Sequence, residues 1–207
     1  MGRVCADKKR GIWVAWKKKL MTGEGLEVIL VDVMESRVQR PKRNRQKNKK
    51  PIKNRKNGQK RWYSSKKKYH TIKSQIVICA KTKIIIAVFI DCGRRHDFEM
   101  WKKSIGVKVV KHIKIQADKA YQGIAKLHEN SEVPKKKTKK RPLTKEEKAN
   151  NRRINSERVG IEHTNCRLKR FHLLADPYRN RRKRFGLRVS LFCGLYNFEL
   201  ADKINVS

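Results

Sequence analysis

The sequence predicts an α/β (α+β) domain: a mixed sheet of three antiparallel strands plus parallel strands, flanked by helices. Three observations predict it. Leu26 to Met34, LEVILVDVM, is an apolar run of strand length and reads as a strand covered on both faces. Thr71 to Ala80 and Lys83 to Asp91 are β-branched runs parted only by Lys81-Thr82, which reads as a hairpin and gives three antiparallel strands with the first. Further on, Thr144 and Glu147 form a capping box for a long helix starting at Lys145, on which Ile154, Ile161 and Leu168 recur as an apolar stripe.

At 207 residues the chain can bury a sizeable core. It carries 56 Lys plus Arg against 18 Asp plus Glu, a net charge of +38. Self-repulsion at that charge opposes compaction unless a polyanion is present, so DNA or RNA is the expected partner. An anionic membrane surface is a weaker reading, because no basic amphipathic anchor is clear and no apolar run reaches membrane-spanning length. The five cysteines lack the CxxC spacing of zinc sites and read as reduced, mostly buried thiols of a cytosolic protein.

Residues 1–23 form a basic, tryptophan-bearing segment in which Trp13 and Trp16 precede Lys17 to Lys19. Packing on the domain or on DNA, and a loose leader, are both open for it. The main domain is 24–207, with a basic insert at 37–70. Asp32 lies inside the first strand, where an isolated carboxylate is expensive. It needs either a distant Arg or a metal ion.

Ser36 to Ile90 holds 19 Lys or Arg and no acidic residue. Its densest part is too charged to fold alone and reads as a DNA-contacting arm rather than a merely solvated loop. Arg40, Lys42, Arg43, Lys66, Lys67 and Lys68 are its candidate phosphate contacts, joined by Arg181, Arg182 and Arg184 from the Arg179 to Arg184 cluster. Trp62 and Tyr63 either stack on bases or anchor the end of the arm.

Asp97 is expected to cap a short helix with Phe98, Trp101 and Ile105 inward and Gly106 at its end. Val107 to Ala117 reads as the fourth strand. Asp118 stands at its carboxyl end, where ligands of open α/β sheets sit; a turn or helix-cap carboxylate is the plainer alternative. A short helix and a weak strand around Glu132 to Val133 follow, then the long helix, and Phe185 to Ala201 closes the chain as an apolar helix.

On the long helix a second stripe is polar. At about 100° per residue, Asn155, Arg158, Lys169 and Glu162 share one face. The plain account is a solvated charged face with Arg158 paired to Glu162 four residues on.

Three antiparallel strands, a helix, a fourth strand and later helices is the element order of a ribonuclease H-like domain, in which the first and fourth strands are neighbours. Asp32 and Asp118 could then approach, with Glu162 reaching in from the helix. Three convergent carboxylates repel one another. Two divalent cations resolve that conflict, and Mg²⁺, with Mn²⁺ as a substitute, prefers such hard oxygen ligands.

The chain resembles the DDE transposases of bacterial insertion sequences, in the insertion-sequence family-five group. The resemblance is carried by LVDVMESRVQRP, YSSKKKYHTIK, the GRRHD turn, ADKAYQG and the NRR…ER…IEH…LK helix, and it extends from about Leu26 to the end. It implies that Asp32, Asp118 and Glu162 are the catalytic metal ligands. It selects Glu162 over Glu157, about 140° away around the helix, and implies that Arg158, Lys169 and Asn155 bind DNA phosphate or orient the acid. The family often has Tyr where Asn155 stands, and its Tyr-Ser-Gly is Tyr63-Ser64-Ser65 here.

Further implications are strand cleavage and strand transfer between terminal inverted repeats and target DNA, a homodimer or higher oligomer on DNA, and a bacterial cytoplasmic, nucleoid-associated location. Relatives carry a helical DNA-binding domain before the first catalytic strand. The segment 1–23 is accordingly expected to be a junction to, or remnant of, such a domain. Two other classes stay open: a non-catalytic basic nucleic-acid-binding protein, or an inactive or truncated transposase remnant. A ribonuclease H-like nuclease without transposition is a third.

Overall fold

The computed structural model describes residues 6–7, 11–12, 17–41, 58–104, 108–138 and 141–205. Trp13, Trp16, Lys42, Arg43, Ile105 and Gly106 therefore lie outside the described residues. Two short strands, β1 (Ala6–Asp7) and β2 (Gly11–Ile12), pair with each other, and α1 (Lys17–Thr22) leads into β3 (Val28–Arg37). After the insert come α2 (Gly58–Trp62), β4 (Tyr63–Ser64), β5 (Tyr69–Cys79), β6 (Ile85–Cys92) and α3 (Asp97–Lys103). Then follow β7 (Lys114–Ala117), β8 (Ser131–Glu132), α4 (Lys145–Leu168), α5 (His172–Ala175) and α6 (Phe185–Asn205).

The main sheet runs β6-β5-β3-β7-β8, with β4 on the far end of β5. β3 is antiparallel to β5, and β5 to β6, as the β-branched runs predict. β7 and β8 continue the sheet in parallel from β3.

Alternation sends side chains of β3 to opposite faces. Leu30, Met34 and Val38 meet α4, α5 and α6 in one core with Ile161, Leu168, Leu174, Phe185 and Val189. Ile29 and Val31 meet Leu20, Trp101, Tyr121 and Ile124 in a second core on the other face. Each fully buried Leu or Ile in these layers contributes about 1.5–3 kcal/mol relative to exposure. The strand is thus covered on both sides, which is why its sequence is apolar without a polar alternate.

Two expectations need correction. Of the run expected as the fourth strand from Val107 to Ala117, Val107 lies outside the described residues and only Lys114–Ala117 is strand. Upstream of it the chain turns, with Ile113 N–H bonded to Val110 O at 3.1 Å, and Val109 and Ile113 are pegs in the second core instead of ladder residues. Asp97 does not cap α3. His96 holds the N-cap position, and Asp97 Oδ1 accepts a 2.7 Å hydrogen bond from Lys73 Nζ. Lys73 is nearly buried, so its ammonium requires that carboxylate and Glu35, 3.9 Å away.

The expected capping box is present: Thr144 Oγ1 accepts from Glu147 N–H, and the Glu147 carboxylate accepts from Thr144 N–H. Gly160 interrupts α4 at a cost of about 1 kcal/mol. A Cβ there would stand 2.6 Å from Lys83 Nζ, so the glycine lets the β5–β6 turn pack on the helix.

The first half of α4 is fastened to β7 and β8 by a polar cluster around Glu132. Lys114 Nζ and Arg153 Nη2 each lie 2.9 Å from its carboxylate, and Gln116 Nε2 donates at 3.1 Å. Burial alone would raise the Glu132 pKa, but these donors together hold it down at about 2. A depressed carboxylate stabilises the fold above its unfolded pKa near 4.5, and that stability is lost as the pH falls toward about 2. Glu132→Gln is expected to lower stability at neutral pH by on the order of 2 kcal/mol and to flatten acid unfolding within that window. Denaturant midpoints against pH read both effects. An unchanged acid profile would contradict the role given to these donors.

Candidate active site

In the β3–β7 ladder, Val31 pairs with Ala117. The next residue on each strand is Asp32 and Asp118, so the two carboxylates leave the parallel pair side by side. Asp118 takes the N-cap position of a short 3₁₀ turn, Lys119–Tyr121, but its side chain makes no capping hydrogen bond. Its carboxylate is therefore available, and half of its side-chain surface is exposed (48%).

The α4 face above them supplies a cation. Arg158 Nη2 lies 3.6 Å from Asp32 Oδ1, and Nη1 lies 3.7 Å from Asp118 Oδ1. One guanidinium thus spans both carboxylates, and Arg158 is only 4% exposed. This overturns the plain account of Arg158 as part of a solvated face paired to Glu162. The distant-Arg partner considered for Asp32 exists, and it serves Asp118 as well.

Asn165, seven residues after Arg158 and so on nearly the same line of the helix, donates from Nδ2 to Asp32 Oδ2 at 2.8 Å. Sequence reading misses Asn165, although its spacing from Arg158 is a signal that could have found it. Burial raises the Asp32 pKa, while Arg158 opposes the rise and Asp118 adds to it. Arg158 Nε and Asn165 Oδ1 are buried here with no hydrogen-bond partner.

Glu162 is exposed on α4, four residues after Arg158 and three before Asn165, and its side chain makes no hydrogen bond or ion pair among the described residues. Among those residues no three His, Cys, Asp or Glu side chains cluster closely enough to hold a metal ion. The aspartates are brought together; Glu162 is not gathered with them. Glu157 belongs to the Glu132 cluster, with Arg153 Nη1 at 2.7 Å and a hydrogen bond from Gln116. Asn155 and Lys169 are exposed, and Lys169 is the C-cap of α4.

Around the site the described basic residues remain on the surface. Lys66, Lys67, Lys68, Arg181 and Arg184 are exposed. Trp62 is half-buried against the first core, with the Arg182 guanidinium 4.8 Å from its ring centroid. It therefore anchors the end of the arm. No helix among the described residues is long and apolar enough to cross a membrane.

Comparison with known proteins gives two matches. Residues 31–197 match the family described as DDE superfamily endonuclease. Over 188 residues the chain is 45% identical to the probable transposase for insertion sequence element IS702 of Microchaete diplosiphon, covering 90% of this chain and 63% of that protein. The chain thus spans less than two thirds of that relative's length. No solved structure matches it.

Proposed function

We propose, for a chain that belongs to the DDE superfamily endonucleases, that it is the catalytic domain of an insertion-sequence transposase, with residues 24–207 as the catalytic unit. The reading is carried by one observation: two aspartates just past the end of the parallel β3–β7 ladder share a single buried guanidinium from α4. The strand order β6-β5-β3-β7-β8, antiparallel and then parallel, supports a ribonuclease H-like assignment.

The family implies divalent metal use. The donor set fits: Asp32 and Asp118 present hard carboxylate oxygens, already adjacent and already attracting a cation. Glu162 is the proposed third ligand, because the helix residues flanking it on that face, Arg158 and Asn165, both reach Asp32. The proposed ion is Mg²⁺, two per site, with Mn²⁺ as a substitute. Such cations would activate the attacking oxygen and stabilise the leaving one.

The chain's own residues do the rest. Asn165 fixes the Asp32 carboxylate through one oxygen, leaving the other toward Arg158. Arg158 neutralises the pair, and were a cation to take that role the guanidinium would be free to meet a DNA phosphate. Lys169 and Asn155, further along the same stripe, contact the backbone. In the first step water attacks the phosphorus at the element's end and the 3′-oxygen leaves, taking a proton. In the second, that 3′-hydroxyl attacks a phosphodiester of target DNA and displaces another 3′-oxygen.

The acid-free arm and the Arg179 to Arg184 cluster hold DNA by phosphate contacts. Assembly on DNA as a dimer or larger is supported by Leu187, Leu191, Leu195 and Phe198, which form an exposed apolar stripe on α6. The place of action is the bacterial cytoplasm, at the nucleoid. A nicking and strand-joining assay on DNA bearing the element's ends, with Mg²⁺ and with chelator, tests the reading, using the longer protein if end recognition lies outside this chain. Sedimentation of the same mixtures reports copies per DNA. Cleavage that persists in chelator would overturn the metal-dependent mechanism.

A further inference from the structure

Beyond Asp32, β3 continues to Arg37 and its chain on to Pro41, where three distant segments meet. Val38 N–H bonds to His70 O at 2.9 Å, Gln39 N–H to Tyr178 O at 3.0 Å, and Tyr178 N–H to Arg37 O at 2.9 Å. The junction is rigid because its backbone groups are paired with one another. Around it lie two adjoining cavities of about 160 and 450 Å³ that share the Gln39, Arg40 and Arg179 walls.

Arg37, Arg40, Arg179 and Arg182 line these cavities, and no lining residue is acidic. None of the four is in an ion pair among the described residues, whereas Arg95, Arg153 and Arg158 all have carboxylate partners. Two of the four guanidiniums rest on aromatic rings instead, Arg37 5.1 Å from the Tyr69 centroid and Arg182 4.8 Å from Trp62. Stacking orders a guanidinium without neutralising it. The result is uncompensated positive charge on a fixed frame; burial first, and then the Arg40 and Arg182 charges, hold the pKa of His70 down.

The shape limits the ligand. Together the two volumes fall in the range of a pocket for a small molecule or a single nucleotide, too small to admit a duplex. Tyr69 and His70 line the larger cavity, with one face of the Tyr69 ring already under the Arg37 guanidinium. Along β3, Arg37 is five residues from Asp32, roughly 16 Å at about 3.3 Å per residue, or about five nucleotide rises.

We propose that this cleft is a subsite for an unpaired DNA strand, taking a phosphodiester on the four guanidiniums and the neighbouring base against the Tyr69 and His70 rings. It rests on the reading that the chain acts on DNA, and it adds a preference for a single-stranded or frayed segment close to the cleavage centre.

The test is fluorescence anisotropy of the full chain without divalent cation, so that binding is read apart from cleavage. The probes are a labelled oligothymidylate of about 12 nucleotides and a blunt duplex of the same length. The double variant Arg40→Ala, Arg179→Ala is expected to weaken the single strand more than tenfold and to reduce its salt slope by about 1.4 units, at roughly 0.7 per contact. Duplex affinity should fall at least about threefold less than single-strand affinity, because the other cations of the arm and cluster still hold a duplex. Tyr69→Leu should cost about tenfold on the single strand with its salt slope unchanged. Should Tyr69→Leu fail to fold, the arginine pair, both exposed, carries the test alone. Equal losses on both probes, or none on the single strand, would overturn the subsite. Absence of Mg²⁺-dependent cleavage by the wild type alongside these binding losses would sink the transposase reading and leave the subsite standing.

Discussion

Asp32→Asn, Asp118→Asn and Glu162→Gln are each expected to lower metal-dependent strand cleavage by about 10³-fold or more while leaving DNA affinity within about twofold. Each replacement keeps shape and removes one anionic oxygen ligand. A cation that supplies several kcal/mol of transition-state stabilisation is lost with it, and each 1.36 kcal/mol is a factor of ten in rate. Binding survives because it rests on Lys and Arg elsewhere. Asp32→Asn should also be tolerated by the fold, since the raised pKa of Asp32 reflects a site where burial disfavours its charge.

Glu157→Gln is the matched control on the same helix. Its carboxylate engages Arg153 and Gln116, so it should retain activity. Wild-type activity in Glu162→Gln would remove Glu162 from the site and leave the aspartate pair to be completed by another group. Loss of DNA binding in all three acid variants would instead assign the carboxylates a folding role.

What the sequence made legible was local. The capping box, the 7-residue stripe of α4 and the β-branched hairpin each depend on residues within a few turns or strands of one another, and each formed as read. The position of Asp32 inside an apolar strand announced a partner because burial makes an unpaired carboxylate costly. Which partner could not be read, since Arg158 lies 126 residues away and its own surroundings in sequence are polar. Helical periodicity placed Arg158 on a charged stripe but could not say that the stripe's edge is buried; Asn165, on that edge, was missed for the same reason. The run leading to β7 reads as strand from its β-branched residues, yet Val109 and Ile113 serve as pegs beside turns. Asp97 looked like a cap because no local pattern reveals that Lys73, from a strand, needs its carboxylate. The arginine cleft is non-local, assembled from segments about 30 and more than 100 residues apart.

Arg158→Met is expected to destabilise the cation-free protein by about 2–3 kcal/mol, and added Mg²⁺ or Ca²⁺ is expected to restore most of the difference. Removing one partner of a buried charge pair typically costs about 3–5 kcal/mol. The lower figure applies here because Asp118 is half exposed and the contacts, at 3.6 and 3.7 Å, are longer than hydrogen bonds. Methionine keeps the apolar stem packed, so the loss reports on charge. For a chain of this size the change is roughly a 4–12 °C fall in Tm. A divalent cation bound between the aspartates performs the neutralisation that the guanidinium performs without it, and it stabilises only the folded state that assembles the site. The stability gain from cation should therefore be larger in Arg158→Met than in wild type, where the cation must first displace the guanidinium. Adding Asp32→Asn to Arg158→Met should recover part of the loss without any cation, because the remaining Asp118 carboxylate then faces no second charge. Denaturant midpoints of wild type, Asp32→Asn, Arg158→Met and the double variant, with chelator and with Ca²⁺, measure all of these differences without relying on catalysis. If Arg158→Met matched wild type in chelator, the guanidinium would not be what holds the two aspartates together. If cation stabilised wild type and variant equally, guanidinium and metal would occupy separate places.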